Sequence, residues 1–322
     1  MMISYREKMF ALIIAMVAIP TLLIVTSNLV GNDSERKKNI AVSGEPTSCH
    51  TDGGTADATG LKVWCWQDID LPDYQDRTSR SFSDGELHID SECYEKQVSR
   101  VGDQLQFKID PMEPKVSDWC PRDFNMRAEI RTSPWNIRHA LGTEEWFGWS
   151  YTFGTDYVVD RNNQWLFFQV HPGILGESPQ VEFTIVKEGQ VAGHRAGEIF
   201  IVNAANRKEY WPTGIVPGAG ETLDLVVHVV WGDASQGLLQ VWIDGKRIYD
   251  KQVATVYERY PWGGNAKWGI YKWPWTQEAG VRKSKQQGIT RLETFMGPLR
   301  IITRNPDDQE YLEDAYTRVV PR

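Results

Sequence analysis

Residues 223–244 read LDLVVHVVWGDASQGLLQVWID. Two runs dense in Val, Leu, Ile and Trp flank the turn-forming stretch GDASQG. β-branched and aromatic side chains suit a pleated, half-buried surface, while Gly, Asp and Ser supply the backbone conformations of turns. The same grammar extends in both directions. Upstream it recurs at Glu86–Asp90, Gln104–Asp110, Met126–Thr132, Trp146–Phe153, Trp165–His171, Val181–Lys187 and Glu198–Asn203; downstream it recurs at Lys267–Lys272 and Pro298–Thr303. Past residue 60 no stretch sustains a helical period over three turns except the polar tail near Glu310–Thr317. There is no solenoid-length repeat. Many short strands separated by turns predict one all-β sandwich or jelly roll over residues 61–322.

The remainder of the chain reads as an address. Arg6 and Lys8 precede the apolar segment Met9–Val30, a basic-then-apolar order that marks export. Residues 1–31 are thus expected to be a signal peptide or an N-terminal membrane anchor, and residues 32–60, rich in Gly, Ser, Thr and Asp, a polar linker. The expected location is secreted, periplasmic or extracellular, with anchoring by residues 9–30 as the membrane-bound form. Cys49, Cys65, Cys93 and Cys120 suit no zinc spacing, and in an oxidising compartment they predict two disulfides with three pairings open. The balance of 35 Lys and Arg against 43 Asp and Glu, with no basic tract, argues against nucleic acid. It leaves room for a small basic groove on an acidic body.

Several chemistries are missing from the sequence. It holds no H-E-x-x-H, no G-x-S-x-G and no Walker A loop, and no strand carries the closely spaced carboxylates that hydrolysis of a neutral glucan would need. Three strands carry something else. Alternate residues of a strand share a face, so Arg127, Glu129 and Arg131 project together. Two guanidiniums around a carboxylate make either an anion-binding face or an exposed ion-pair ladder. In Trp165–His171 the alternation groups Phe167, Gln169 and His171, placing an amide and an imidazole side by side. In Lys267–Tyr271 it aligns Lys267, Gly269 and Tyr271, with the glycine marking a close approach of chains. Trp262, Trp273 and Trp275 flank Tyr271 and read equally as sugar platforms or core, whereas Trp149, Trp231 and Trp242 read as core. His139 is given no role.

These residues resemble the signature strands of jelly-roll polysaccharide lyases, the alginate-lyase and heparin lyase I/glucuronan-lyase-like group. R-A-E-I-R (127–131), Q-V-H (169–171) and K-W-G-I-Y (267–271) are similar to that group's R-[ST]-E-[LV]-R, Q-[IV]-H and K-A-G-[VI]-Y, in the same order. Ala128, Asn265 and Trp273 depart from the alginate pattern, and the hairpin Trp242-Ile243-Asp244-Gly245-Lys246 looks more like the heparin lyase I/glucuronan branch. The resemblance implies a concanavalin-like sandwich of two antiparallel sheets with a concave substrate groove. It implies a carbon–oxygen lyase that cuts an acidic, uronic-acid-containing polysaccharide such as glucuronan, alginate or a related glycosaminoglycan by β-elimination. Gln169 with Arg127 or Arg131 would neutralise the C5 carboxylate, His171 or Tyr271 would remove the C5 proton, and Tyr271 would protonate the leaving oxygen. Glu129, Arg131, Lys267 and Trp273 would bind substrate. The reaction asks for no organic cofactor; a structural Ca²⁺ would be compatible, though no calcium loop is recognisable. The chain is expected to act as a monomer, with membrane contact only through its N-terminal segment. The competing reading is a non-catalytic, lectin-like sandwich, which would keep the groove without needing His171 and Tyr271 together.

Overall fold

The two runs quoted above do form a hairpin-like pair. In the computed structural model, which describes residues 49, 54, 56–57, 59–72, 80–92, 97–111, 126–308 and 314–321, Leu225 lies opposite Ile243 and Val229 opposite Leu239. In chain order the strands are β1 (Leu61–Trp64), β2 (Leu87–Ser91), β3 (Val98–Val101), β4 (Gln104–Ile109), β5 (Arg127–Thr132), β6 (Glu144–Phe153), β7 (Trp165–His171) and β8 (Val181–Ile185). They continue as β9 (Ile199–Asn203), β10 (Glu209–Pro212), β11 (Thr222–Val230), β12 (Leu238–Ile243), β13 (Lys246–Gln252), β14 (Asn265–Tyr271), β15 (Leu292–Met296) and β16 (Leu299–Arg304). Two short helices, α1 (Glu278–Lys285) and α2 (Ala315–Val319), and 3-10 turns at Trp66–Asp68 and Trp273–Thr276 accompany them.

One sheet runs β13-β12-β11-β6-β15-β4-β3, with β16 also on β6 and β1 on β16; the other runs β10-β9-β8-β7-β14-β5-β2. Their pairings are antiparallel, and the two sheets face each other as a β-jelly roll. Aromatic rings fill the space between. Phe147, Trp149, Tyr151 and Phe153 of β6 meet Phe167, Phe168, Phe183 and Trp268 of the opposite sheet, all fully buried. They pack tilted or edge-on, as Phe147 and Trp268 do at 5.7 Å and 68°, the geometry ring quadrupoles favour. Each such burial contributes about 2 kcal/mol. Tyr151 adds a polar tie, donating 2.8 Å to the carbonyl of Gly269 across the sandwich.

The expected alternation along β7 fails at one point, for a physical reason. The pairing of β7 with β8 shifts between Leu166 and Phe168, and that of β14 with β7 between Trp268 and Tyr271. Phe167 is the extra residue of a bulge. It joins the core beside Phe168 instead of sharing a face with Gln169 and His171, and Leu166 takes the groove side. Bulges bend a strand and increase its twist. Gly269, on the partner strand, has φ 128°, and a Cβ there would lie 2.2 Å from the carbonyl oxygen of Ala128. The close approach expected at this glycine is therefore to β5, within the sheet.

Elements absent from the sequence reading are those with weak patterns. β13 (KRIYDKQ) is a largely exposed edge strand, and α1 spans only eight residues. Helix α2, near the expected tail helix, covers the outer face of the nine-stranded sheet, packing on Trp146, Val226 and Ile302. Trp242 belongs to this outer cluster, not to the core between the sheets, whereas Trp149 and Trp231 are core as expected. Residues 46–322 form one compact unit. Cys49 and Cys65 form a disulfide, which fastens a point within the polar stretch to the residue after β1. Cys93, Cys120 and the segment Met9–Val30 lie outside the described residues. Among the described residues no helix is long and apolar enough to cross a membrane.

Candidate active site

Four neighbouring strands, β7, β14, β5 and β2, assemble the site by register. Gln169, Lys267, Arg131 and His88 occupy one row across the sheet; Leu166, Tyr271 and Arg127 occupy another. Between them lies the row of Gly269, Glu129 and Asp90. Because Gly269 has no side chain, Gln169 Nε2 reaches across β14 to donate 2.6 Å to Glu129 Oε1. The structure thus brings together all three signature strands. Two adjoining lobes of about 460 and 620 Å³ open over them, sharing Arg127, Trp135, His171, Glu177 and Tyr271.

The floor is a buried charge network centred on a residue the sequence reading missed. Asp90 Oδ2 lies 2.6 Å from Lys267 Nζ and 3.2 Å from an Arg127 guanidinium nitrogen. Burial pushes the Asp90 carboxyl up, but Lys267 and Arg127 more than reverse this and hold it well below the usual carboxylate range. Lys267 is 1% exposed, so its ammonium, expected to meet substrate, is committed to Asp90, and burial lowers its pKa. Glu129, also expected to bind substrate, is absent from the lining of either lobe. It is fully buried, accepts from Gln169, and has Arg127 Nε at 3.4 Å, so it positions the two groups that flank it. Burial raises its carboxyl from 4.5 to about 7 against the pull of Lys267 and Arg127.

That shift has a testable sign. A carboxyl raised on folding contributes stability that is complete below pH 4.5 and is lost as pH rises through about 7. Between pH 5 and pH 8 the unfolding midpoint of the wild type should therefore fall by several degrees relative to Glu129→Gln. A gap that stays constant over that range would show that Glu129 titrates normally.

Tyr271 and His171 differ in what they have free. The Tyr271 ring carries the Arg127 guanidinium 4.3 Å from its centroid, and no hydrogen bond among the described residues engages its hydroxyl. His171 has both nitrogens in use. The Gly173 N–H donates to Nδ1 at 3.1 Å, so the ring proton sits on Nε2, which donates 3.0 Å to the carbonyl of Glu177. Burial, aided by Lys267, lowers its pKa to about 4. His171 is a neutral clamp on the loop after β7.

Trp135, also missed, follows the Ser133–Pro134 turn; it stacks 4.7 Å from the His171 ring and carries Lys267 Nζ 4.3 Å from its centroid. Its position after a strand offered no periodic signal. Asp90 was visible as the end of a β-like run, but only the pairing of β2 with β5 reveals its partners. Of the three tryptophans around Tyr271, Trp273 lines the groove 5.8 Å from the Tyr271 ring, and Trp275 is core. Trp262 stacks under Arg138 at 4.2 Å. His139 pairs with Glu145 at 3.5 Å. Arg131 lines the second lobe and forms no ion pair among the described residues, which leaves its charge available. No cluster of His, Cys, Asp or Glu suited to a metal occurs among the described residues.

A family model described as polysaccharide lyase matches residues 81–290. No curated protein sequence matches the chain. Among solved structures, an endo-β-1,4-glucuronan lyase from the fungus Trichoderma reesei is similar at 13% identity, covering 77% of this chain and 98% of that one with a TM-score of 0.44. An alginate lyase from Alteromonas sp. 272 is 13% identical over 69% of this chain and 96% of its own, TM-score 0.48. An alginate lyase from Pseudomonas aeruginosa is 14% identical over 65% and 86%, TM-score 0.44.

Proposed function

The chain belongs to the polysaccharide lyase family, and from that premise we propose that it cleaves a uronic-acid-containing polysaccharide by β-elimination with Tyr271 as both base and acid. The observation that carries this reading is the contrast between a groove-facing phenol without a hydrogen-bond partner among the described residues and an imidazole whose two nitrogens are bonded to backbone. Arg131 and Gln169 receive the C5 carboxylate, and Arg127, stacked on the phenol, stabilises negative charge that develops beside it. Tyr271, reacting as the phenolate, takes the C5 proton and becomes the phenol; the electron pair moves to form the C4–C5 double bond, and the C4–O bond breaks. The same hydroxyl returns the proton to the departing oxygen.

One residue can serve both steps only if H5 and O4 lie on the same face of the ring. That condition holds for gluco- and manno-configured uronates and fails for galacto- and gulo-configured ones. The reading therefore selects a glucuronate or mannuronate at the cleavage point. Export of the chain is part of it, supported by the basic-then-apolar N-terminal segment and by the Cys49–Cys65 bridge, which suits an oxidising compartment.

The test is the purified protein on polymers of all four configurations, followed by the ultraviolet absorbance of unsaturated uronate. Absorbance should rise with the first two only. A rise confined to the galacto or gulo polymers would sink the single-residue mechanism. Binding without absorbance would favour the lectin-like reading, and reducing ends without unsaturation a hydrolase.

A further inference from the structure

The lobe that ends at Tyr271 extends to a wall made by Gln190, Lys208 and Tyr210. β10, which Lys208 precedes, is four strands from β14, roughly 19 Å at the spacing of paired strands. A single reacting sugar would leave that wall unused.

The hairpin that supplies Lys208 is built against local preference. Arg207 and Lys208 are consecutive residues with left-handed backbone, φ 52° and 57°, a conformation that disfavours residues with a Cβ and is taken most easily by Gly or Asn. Such strain persists where surrounding bonds impose it. Here Asn206 N–H donates 3.1 Å to Asn203 Oδ1, Asn206 Nδ2 donates 2.8 Å to Glu209 Oε2, and Lys208 N–H donates 3.2 Å to the carbonyl of Ala204. The result is an exposed cation at the cavity wall. Unlike Lys267 and Arg127, which Asp90 holds, Lys208 forms no ion pair among the described residues. Of the two acids of the same lobe, Glu177 pairs with Arg259, and Glu182 accepts from Thr184 Oγ1 at 2.9 Å while feeling the Lys208 charge from a distance.

We propose that Lys208, with Gln190 and Tyr210, forms a second anion subsite that takes the carboxylate of a non-reacting uronate. The enzyme then favours polymers that carry a second uronate at that distance from the cleaved one. This rests on the lyase reading above and adds to it a requirement on the polymer's sequence.

Lys208→Asn removes the charge while suiting the left-handed backbone, and Lys208→Arg keeps the charge. On a homopolymeric polyuronate, Lys208→Asn should raise KM about 3- to 10-fold, the range of one charge-assisted contact at a partly exposed site, with kcat within about twofold. Lys208→Arg should restore KM. On an oligosaccharide whose cleaved sugar is its single uronate, all others being neutral, the three proteins should match. An unchanged KM for Lys208→Asn on the homopolymer, with the wild type active, overturns the subsite and leaves the lyase reading intact. A wild type that produces no unsaturated sugar overturns the lyase reading. Equilibrium binding of the homopolymer, followed by tryptophan fluorescence, then decides the subsite by itself: weaker binding by Lys208→Asn supports it and equal binding overturns it.

Discussion

Tyr271→Phe should lower kcat by about 10²- to 10⁴-fold, the usual worth of a positioned acid–base group, with KM changed by no more than about threefold. The substitution removes one oxygen and leaves the ring that carries Arg127 at 4.3 Å. The groove's shape and charge therefore survive, and binding with them. His171→Asn is the informative partner. If His171 only clamps the loop after β7 through Gly173 and Glu177, its loss should cost less than that of Tyr271. The pH–rate profile should also keep its shape, because an imidazole with a pKa near 4 does not titrate across the neutral range. Equal losses in kcat from both variants, with a limb of the profile vanishing in His171→Asn, would transfer the base role to His171. A Tyr271→Phe protein that turns over like the wild type would end the case for Tyr271.

Asp90→Ala is expected to destabilise the fold by about 3–5 kcal/mol, the cost of stranding a buried charge, and to lower the unfolding midpoint by roughly 5–9 °C for a chain of this size. Lys267 is 1% exposed and loses its partner at 2.6 Å; Arg127 loses one at 3.2 Å. Activity should fall with stability, since Arg127 is then held by Glu129 without its second anchor. The pH dependence follows from the depressed Asp90 carboxyl. Its contribution is present above 3.8 and is lost as pH falls through the lower folded-state value. The gap between wild type and variant should accordingly be widest near neutrality and narrow in acid. Thermal unfolding at pH 7 checks the first statement, and a midpoint within 2 °C of the wild type would refute it. Asp90→Asn, which retains an acceptor, should fall between the two.

The fold was legible because strand alternation and turn residues are local signals. Runs such as Leu238–Asp244 and Trp165–His171 appear at or within a residue of their observed limits. The signature side chains were legible for the same reason: Arg127, Gln169 and Tyr271 stand on alternating positions of strands that do pair side by side. Roles were less legible, because they depend on what faces each group from another strand. Lys267 reads as a free cation until β2 brings Asp90 to it through β5, and Glu129 reads as exposed until Gln169 is seen to cross Gly269. His171 reads as a base until the loop after β7 folds back on both nitrogens. Asp90, Trp135 and Lys208 carry no alternation shared with the signature strands, and only the packing of separate segments assembles them.

The extra residue in β7 bears on how this groove could vary by descent. With Phe167 left out, the remaining residues of the strand alternate without interruption, Leu166, Gln169 and His171 on the groove side and Trp165, Phe168 and Val170 in the core. Loss of Phe167 would leave each of those side chains on its present side and let β7 meet β8 without a shift, but Gly269 and Ile270 of β14, which lie against Phe167, would then face no residue of β7. The bend of this groove is thus inherited as a matched pair of irregularities, and a lineage that flattened the cleft for a different polymer would have to alter both strands together.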